Sequence, residues 1–331
     1  MKNWFARTFS LLICGMAAAL GAGESYDFTF FSDTHFADPE TYSHDPNDRW
    51  HFPDGKKDPQ RPAKAMPIYR AMFDRMAKSF DDKTRFAICA GDMIDGFAKS
   101  PELHAGEVQK AIDFLTTDIP CPVYIINGNH DTHSRGGVEA YHGVMLPYLE
   151  KLTGKKLTAT DYAVRVGDDL FIFADYFGHR GKARMAFVLE TLRNLTWKPR
   201  YVFVVIHSPI LPKGSPLHDR VLTELGKFNG FILCGHKHRM QLLECKTPNG
   251  VVTQLAATTL LQVPEARNRL GKPVTGTAAL GKDTVSVSFP LTRMWFCRGQ
   301  GYAHIFVSDA GVEAVIHSAA ADSPTRTVRL R

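Results

Sequence analysis

The sequence predicts an α/β protein in which parallel strands carry a crevice and a second, largely antiparallel sheet packs behind them. Three observations predict it. Five short apolar runs, at residues 28–32, 86–90, 123–127, 201–206 and 230–234, are too short for helices and rich in β-branched and aromatic residues. Helical periodicity separates them, as crossovers between parallel neighbours require. Beyond residue 238 the pattern changes to short alternating segments divided by turn residues.

The elements follow in order. Ile68, Met72 and Met76 fit one helix face, as do Val108, Ala111, Ile112 and Leu115, and Met185, Val188, Leu189, Leu192 and Leu195. These stripes read as core. Two strands at 242–246 and 251–255 flank Pro248-Asn249-Gly250, a hairpin signal. A strand at 285–289 is expected next, and then a pair at 302–307 and 312–317 that turns at Asp309-Ala310-Gly311. The tail from Ala319 has little apolar content, so residues 321–331 are expected to be a loose basic end.

The chain has 331 residues, 44% of them hydrophobic, which is enough to bury a sizeable core. Residues 1–23 read as a cleavable leader: Lys2 and Arg7 precede an apolar stretch that ends in small residues near Gly21 and Gly23. The stretch is shorter than the roughly 20 residues a bilayer requires, so no stable membrane span is expected. Lipid attachment at Cys14 is disfavoured by the bulky Ile13 before it. The protein is therefore expected to be exported, periplasmic or extracellular, with one domain over 24–320. Removing Lys2 and Arg7 takes the formal charge from +6 to +4, an excess that suits a small anionic substrate and not nucleic acid. The five remaining cysteines, Cys89, Cys121, Cys234, Cys245 and Cys297, are an odd number, which argues against a complete disulfide framework.

The chemistry lies where the apolar runs end. Asp33 and His35 follow the first run, Gly91-Asp92 the second, Gly128-Asn129-His130-Asp131 the third, His207 the fourth, and Gly235-His236-Lys237-His238 the fifth. Residues just past the carboxyl ends of neighbouring strands project into one crevice. Taken singly the motifs are ordinary. Gly-Asp is commonly a turn, a lone histidine after a strand is commonly structural, and Asp131-Thr132-His133 repeats the Asp-x-His pattern without an expected role. Only their shared position and order make them a site. Carboxylate, amide and imidazole donors without thiolate suit manganese, iron or zinc.

That order resembles the calcineurin-like metallophosphoesterase family, from about residue 26 to the last strands near 318. The resemblance implies a four-layer α/β/β/α sandwich of two mixed sheets flanked by helices. It also implies a binuclear site: Asp33, His35 and His238 on one ion, Asn129, His207 and His236 on the other, and Asp92 bridging both. A hydroxide shared by ions roughly 3.5–4 Å apart would attack phosphorus. His130 would then stabilise the phosphoryl group or protonate the leaving oxygen. Asp131 would fix the His130 tautomer or cap the loop. The implied activity is a secreted phosphomonoesterase or phosphodiesterase; the alternative is a non-catalytic scaffold of the same fold. Purple acid phosphatases place tyrosine where this chain has Asp95. The Ser32-to-His35 and Cys234-to-Arg239 segments look more like the bacterial cyclic-nucleotide phosphodiesterase branch, although Ser208-Pro209 stands where that branch often has a second histidine. Residues 36–61 lack either period and are expected to form a loop over the crevice, in which Arg49 and Trp50 could meet a substrate.

Overall fold

The computed structural model describes residues 23–38, 67, 70–71, 73–117, 119–175, 182–260, 272–297, 299–318 and 326–331. The leader through residue 22, Cys14, the loop at 39–61 with Arg49 and Trp50, and Ile68 and Met72 lie outside the described residues. No helix among the described residues is long and apolar enough to cross a membrane.

Three of the apolar runs form parallel neighbours in one sheet: β1 (Tyr26–Phe31), β2 (Thr84–Cys89) and β3 (Val123–Ile125). The other two, β6 (Val202–Val205) and β7 (Gly230–Cys234), lie in a second sheet beside β5 (Asp169–Phe173). This corrects the expectation of one parallel and one antiparallel sheet. The carboxyl-terminal strands are shared out between both. β12 (Gly301–Ser308), β13 (Gly311–Ser318) and β14 (Arg326–Arg329) extend the first sheet to the order β14-β13-β12-β1-β2-β3. β8 (Met240–Thr247), β9 (Gly250–Ala256), β10 (Val274–Thr275) and β11 (Leu291–Cys297) join β4 (Tyr162–Val166) in the second, ordered β10-β11-β8-β9-β7-β6-β5-β4. The result is two mixed sheets flanked by helices.

Strand alternation explains the unbroken apolar runs. On β5 and β6, Phe171, Phe173, Phe203 and Val205 join the core that also holds the first sheet, while Leu170, Ile172, Val202 and Val204 join a separate cluster with Met185, Val188, Val221 and Leu222. Both faces are therefore dry, one against a sheet and one against helices. Between the sheets runs an aromatic seam. Phe28 stacks on its register partner Phe86 at 5.0 Å, Phe203 stacks on Phe171 and Phe231 at 4.5 and 4.9 Å, and Phe28 meets Phe171 edge-on at 5.3 Å. Such pairs each contribute about 0.5–1.5 kcal/mol beyond area burial.

Helices that complete the layers are α1 (Pro101–Thr117), α2 (Gly137–Thr153), α3 (Lys182–Arg193) and α4 (Pro216–Leu225). The expected stripe of α1 is buried, and Met185, Val188, Leu189 and Leu192 are buried on α3, with Leu195 packed partly buried beyond it. Met76 is likewise buried, beside Phe73. The hairpins at Thr247↔Gly250 and Ser308↔Gly311 form as expected. The β4–β5 hairpin, closed around Gly167-Asp168, was not foreseen, although Tyr162, Val164 and Val166 alternate as an edge strand should. The strand expected at 285–289 is not one; β11 begins at Leu291 instead. All five described cysteines are free thiols.

The expected loose tail is also corrected. Arg326–Arg329 pairs with β13, Val328 and Leu330 are buried, and Leu330 and Arg331 both donate to the Val312 carbonyl. Thr327 and Arg329 face outward on this edge while Val328 and Leu330 face in, a period the basic composition masks. Two such side chains contribute about 3–5 kcal/mol, or roughly 4–7 °C in melting temperature for a chain of this size. Deleting residues 326–331 is expected to lower the Tm by that amount in calorimetry; an unchanged Tm would mean that the strand contributes nothing.

Candidate metal centre

The two sheets close on each other at the carboxyl ends of β1, β2, β3, β6 and β7. An isolated parallel bridge joins Ser32 to Thr259, and the Thr259 hydroxyl donates to the Asp33 carbonyl at 2.8 Å. The His236 amide donates to both Asp33 carboxylate oxygens at 3.1 and 3.0 Å, and His207 Nδ1 lies 2.7 Å from the Ala90 carbonyl. Each sheet thus supplies partners for the loops of the other.

Two motif glycines permit that approach. A Cβ on Gly235 would stand 1.9 Å from Ser32 Oγ and 2.4 Å from an Asp33 oxygen, and one on Gly128 would stand 2.2 Å from Asp92 Oδ1. The backbone beside them is bent as tightly. Among the described non-glycine residues, six have positive φ, and five of these are Asp33 (53°), His35 (46°), Asp92 (49°), His236 (69°) and His238 (48°). The left-handed region costs a side-chain-bearing residue about 1 kcal/mol or more, so its concentration here marks a site held in place by its surroundings.

The side chains converge. Asp33, His35, Asp92 and His238 bring one donor atom each within 4.8 Å of one another, and Asp92, His207 and His236 do the same, so Asp92 belongs to both groups. His238 Nε2 lies 3.1 Å from Asp33 Oδ1, His207 Nε2 3.1 Å from Asp92 Oδ2, and the Nε2 atoms of His35 and His238 are 3.2 Å apart. Asn129 Oδ1 is 2.9 Å from His236 Nδ1, which places the amide at the second group. Asp33, His35, Asp92 and His207 are buried; Asn129, His130, His236 and His238 reach solvent in part.

The donor set fits a pair of cations. Asp33 and Asp92 are buried carboxylates whose ion-pair partners among the described residues are all imidazoles. Burial would raise the Asp92 carboxyl, but the charge and hydrogen bond of His207, with His35 and His130, hold it well below the usual range. Burial likewise opposes the charged form of Asp33, and His238 and His207 outweigh it. His207 shows the converse: burial disfavours its charge, yet Asp92 and then Asp33 drive it up to about 9. His35, dominated by burial, is pushed down to about 3, and His236 down to about 4 by burial and by His207. Buried carboxylates facing imidazoles and an amide oxygen, with no thiolate among them, are the donor set that manganese, iron or zinc takes.

His130 is wedged edge-on against His35 and Phe97, with ring centroids 4.5 and 5.5 Å away. Its amide donates to Asp92 Oδ1 at 2.8 Å, and its Nδ1 is 2.8 Å from the Asp95 carbonyl. A carbonyl only accepts, so Nδ1 carries the proton and Nε2 is the nitrogen that can exchange one. The expectation that Asp131 would set this tautomer is corrected. Its carboxylate accepts from the amides of Ile94 and Gly128 at 3.0 and 2.7 Å and so ties the β2 and β3 loops together. Burial, then the charge of Asp92, lifts its carboxyl to about 7. His133 is exposed and belongs to neither group around Asp92.

Asp95 is the residue sequence reasoning missed. Its Oδ1 lies 3.6 Å from His35 Nδ1, and with His35 and His130 it forms a third cluster of donors. Its spacing three residues after Asp92 was the available signal.

The model of the calcineurin-like phosphoesterases matches residues 26–240, about two thirds of the chain. The chain belongs to that family. Among solved structures, it is similar to the Plasmodium protein GAP50, described as the anchor in the inner membrane complex, with 13% identity, 93% of this chain and 89% of that one covered, and a TM-score of 0.52. It is also similar to a dimetal phosphatase from Danio rerio, with 12% identity, 92% and 99% coverage, and a TM-score of 0.50. At such identities the likeness shows the fold alone. No curated protein matches the chain.

Metal ligation requires neutral imidazole, and in the metal-free protein His207 and His238 are both raised, each by a partner carboxylate that outweighs burial. Metal uptake near pH 7 is therefore expected to release about one or more protons, and affinity to rise with pH until about 9, where His207 loses its proton anyway. Titration calorimetry in buffers of different ionisation enthalpy measures the release. Identical heats in all of them would contradict the charge balance described.

Proposed function

We propose that this member of the family is a metal-dependent phosphoric ester hydrolase acting on small phosphomonoesters or phosphodiesters, and that it works outside the cytoplasm once the leader at 1–23 is removed. The observation that carries the reading is the shared carboxylate: Asp92 belongs to two donor groups, one of Asp33, His35 and His238 drawn from both sheets and one of His207 and His236 drawn from the second. In this reading Asp33, His35 and His238 hold one ion, Asn129, His207 and His236 the other, and Asp92 both. Bound there, two ions of manganese, iron or zinc supply Lewis-acid polarisation of phosphoryl oxygens and lower the pKa of the attacking water.

The chain's own residues do the rest. The Asp95 carbonyl holds His130 Nδ1, so His130 presents Nε2 to stabilise the transferring phosphoryl group or to give a proton to the departing oxygen. Asp131, anchored on the amides of Ile94 and Gly128, positions the loop that carries Asn129 and His130 and takes no proton from the substrate. Asp95, 3.6 Å from His35 Nδ1, orients that ligand from behind. A scaffold would gain nothing from two buried carboxylates and five left-handed ligand residues, each of which lowers stability.

Asp92→Ala is expected to lose metal and turnover together on aryl phosphate esters, read by elemental analysis and steady-state kinetics. His130→Ala should keep both ions and lower kcat by about 10²–10⁴-fold, the usual range for a positioned proton donor. An Asp92 variant as fast as the parent on every ester would overturn the assignment.

A further inference from the structure

Three cations gather around one carboxylate, two of them on the segment that carries His236 and His238. Arg239 Nη2 closes on Asp283 Oδ2, while Lys213 Nζ and Lys237 Nζ stand 3.4 and 4.0 Å from Oδ1. Arg239 therefore takes one carboxylate oxygen, Lys213 is within hydrogen-bonding reach of the other, and the Lys237 ammonium stands at the far end of ion-pair range. Asp283 is only partly able to neutralise them: three positive charges face one negative.

The position of the cluster is fixed by the ligand loops themselves. Lys237 is exposed between His236 and His238, both of which reach solvent in part. Its charge is close enough to help lower the His236 imidazole, after burial and His207. Lys213 lies on the loop that follows His207, and that loop is pinned to the Asp283 segment: Ser286 N donates to the Pro212 carbonyl and Gly214 N to Ser286 Oγ, both at 3.0 Å. The lysine side chains are 55% and 36% exposed, against 14% for Asp283. The partly buried member is thus the anion, and the more solvent-facing members are the two lysines.

We infer that the favoured substrates of this site are phosphate esters bearing a second anionic group, a carboxylate or a further phosphoryl oxyanion, which Lys213 and Lys237 bind at the rim. The inference rests on the hydrolase reading above and names its substrate class. It predicts a KM effect, since these lysines contact a remote part of the substrate and bind it equally in ground and transition states.

The test compares metal-loaded protein on phenyl phosphate with its para-carboxylate and para-phosphonate derivatives, whose added groups are not hydrolysed. The derivatives are expected to have KM values about five- to tenfold lower at low ionic strength, an advantage that shrinks in about 0.3 M salt as the charges are screened. Lys213→Ala should abolish much of this advantage while leaving phenyl phosphate within about twofold. The carboxylate and phosphonate arms report which oxyanion is preferred. Equal KM values for all three esters, or a Lys213→Ala loss shared equally with phenyl phosphate, would overturn the inference. If no ester is hydrolysed, the hydrolase reading fails, and calorimetric binding of inorganic pyrophosphate against phosphate decides the rim by itself. Tighter pyrophosphate binding that weakens in Lys213→Ala supports it. Equal binding of the two, or lysine-dependent retention on phosphatidylserine vesicles without any pyrophosphate preference, sinks it.

Discussion

Two carboxylates buried between two sheets set the terms for everything around them. Asp33 and Asp92 have lost their water, and among the described residues imidazoles alone stand as their ion-pair partners. Such charges are tolerated inside a protein when cations and hydrogen bonds compensate them. Here His236 donates its amide to Asp33, His130 donates its amide to Asp92, and the imidazoles of His207 and His238, both raised by these carboxylates, lie 3.1 Å from them. The makeup of that compensation is that of a ligand shell.

The same constraint explains the backbone. Bringing donors from both sheets to one point requires the loops to turn immediately after their strands, and five of the donor residues do so in the left-handed region. Gly128 and Gly235 are where neighbouring loops pass with no room for a side chain. The cost is met by the packing beneath: the Phe28, Phe86, Phe171, Phe203 and Phe231 seam fixes the separation of the sheets, so the loops above inherit a rigid base. Asp131, tying the Ile94 and Gly128 amides, shows how an acid beside a catalytic centre can serve geometry rather than proton transfer.

Much of the centre was legible in the chain because its chemistry is short-range in sequence. A donor placed within a few residues of a strand's end must appear at the sheet's carboxyl edge, whichever sheet that strand joins. For that reason the wrong division of strands between sheets did no harm to the convergence of Asp33, His35, Asp92, Asn129, His207, His236 and His238. Asp95 escaped because its contribution to His130 comes through a backbone carbonyl, which any residue type could offer. β14 escaped because its apolar residues, Val328 and Leu330, sit among arginines that dominate the composition.

By itself, the sequence determined the strand runs, the helix stripes, the two later hairpins and the order of metal-type donors, since each depends on periodicity or on residues a few positions apart. Only the tertiary structure decided that β1, β2 and β3 would face β5, β6 and β7 across an aromatic seam, that Asp131 would hold a loop, and that Lys213, Lys237 and Arg239 would meet at Asp283. Those outcomes depend on which surfaces bury each other best over the whole chain, and no local pattern records that competition.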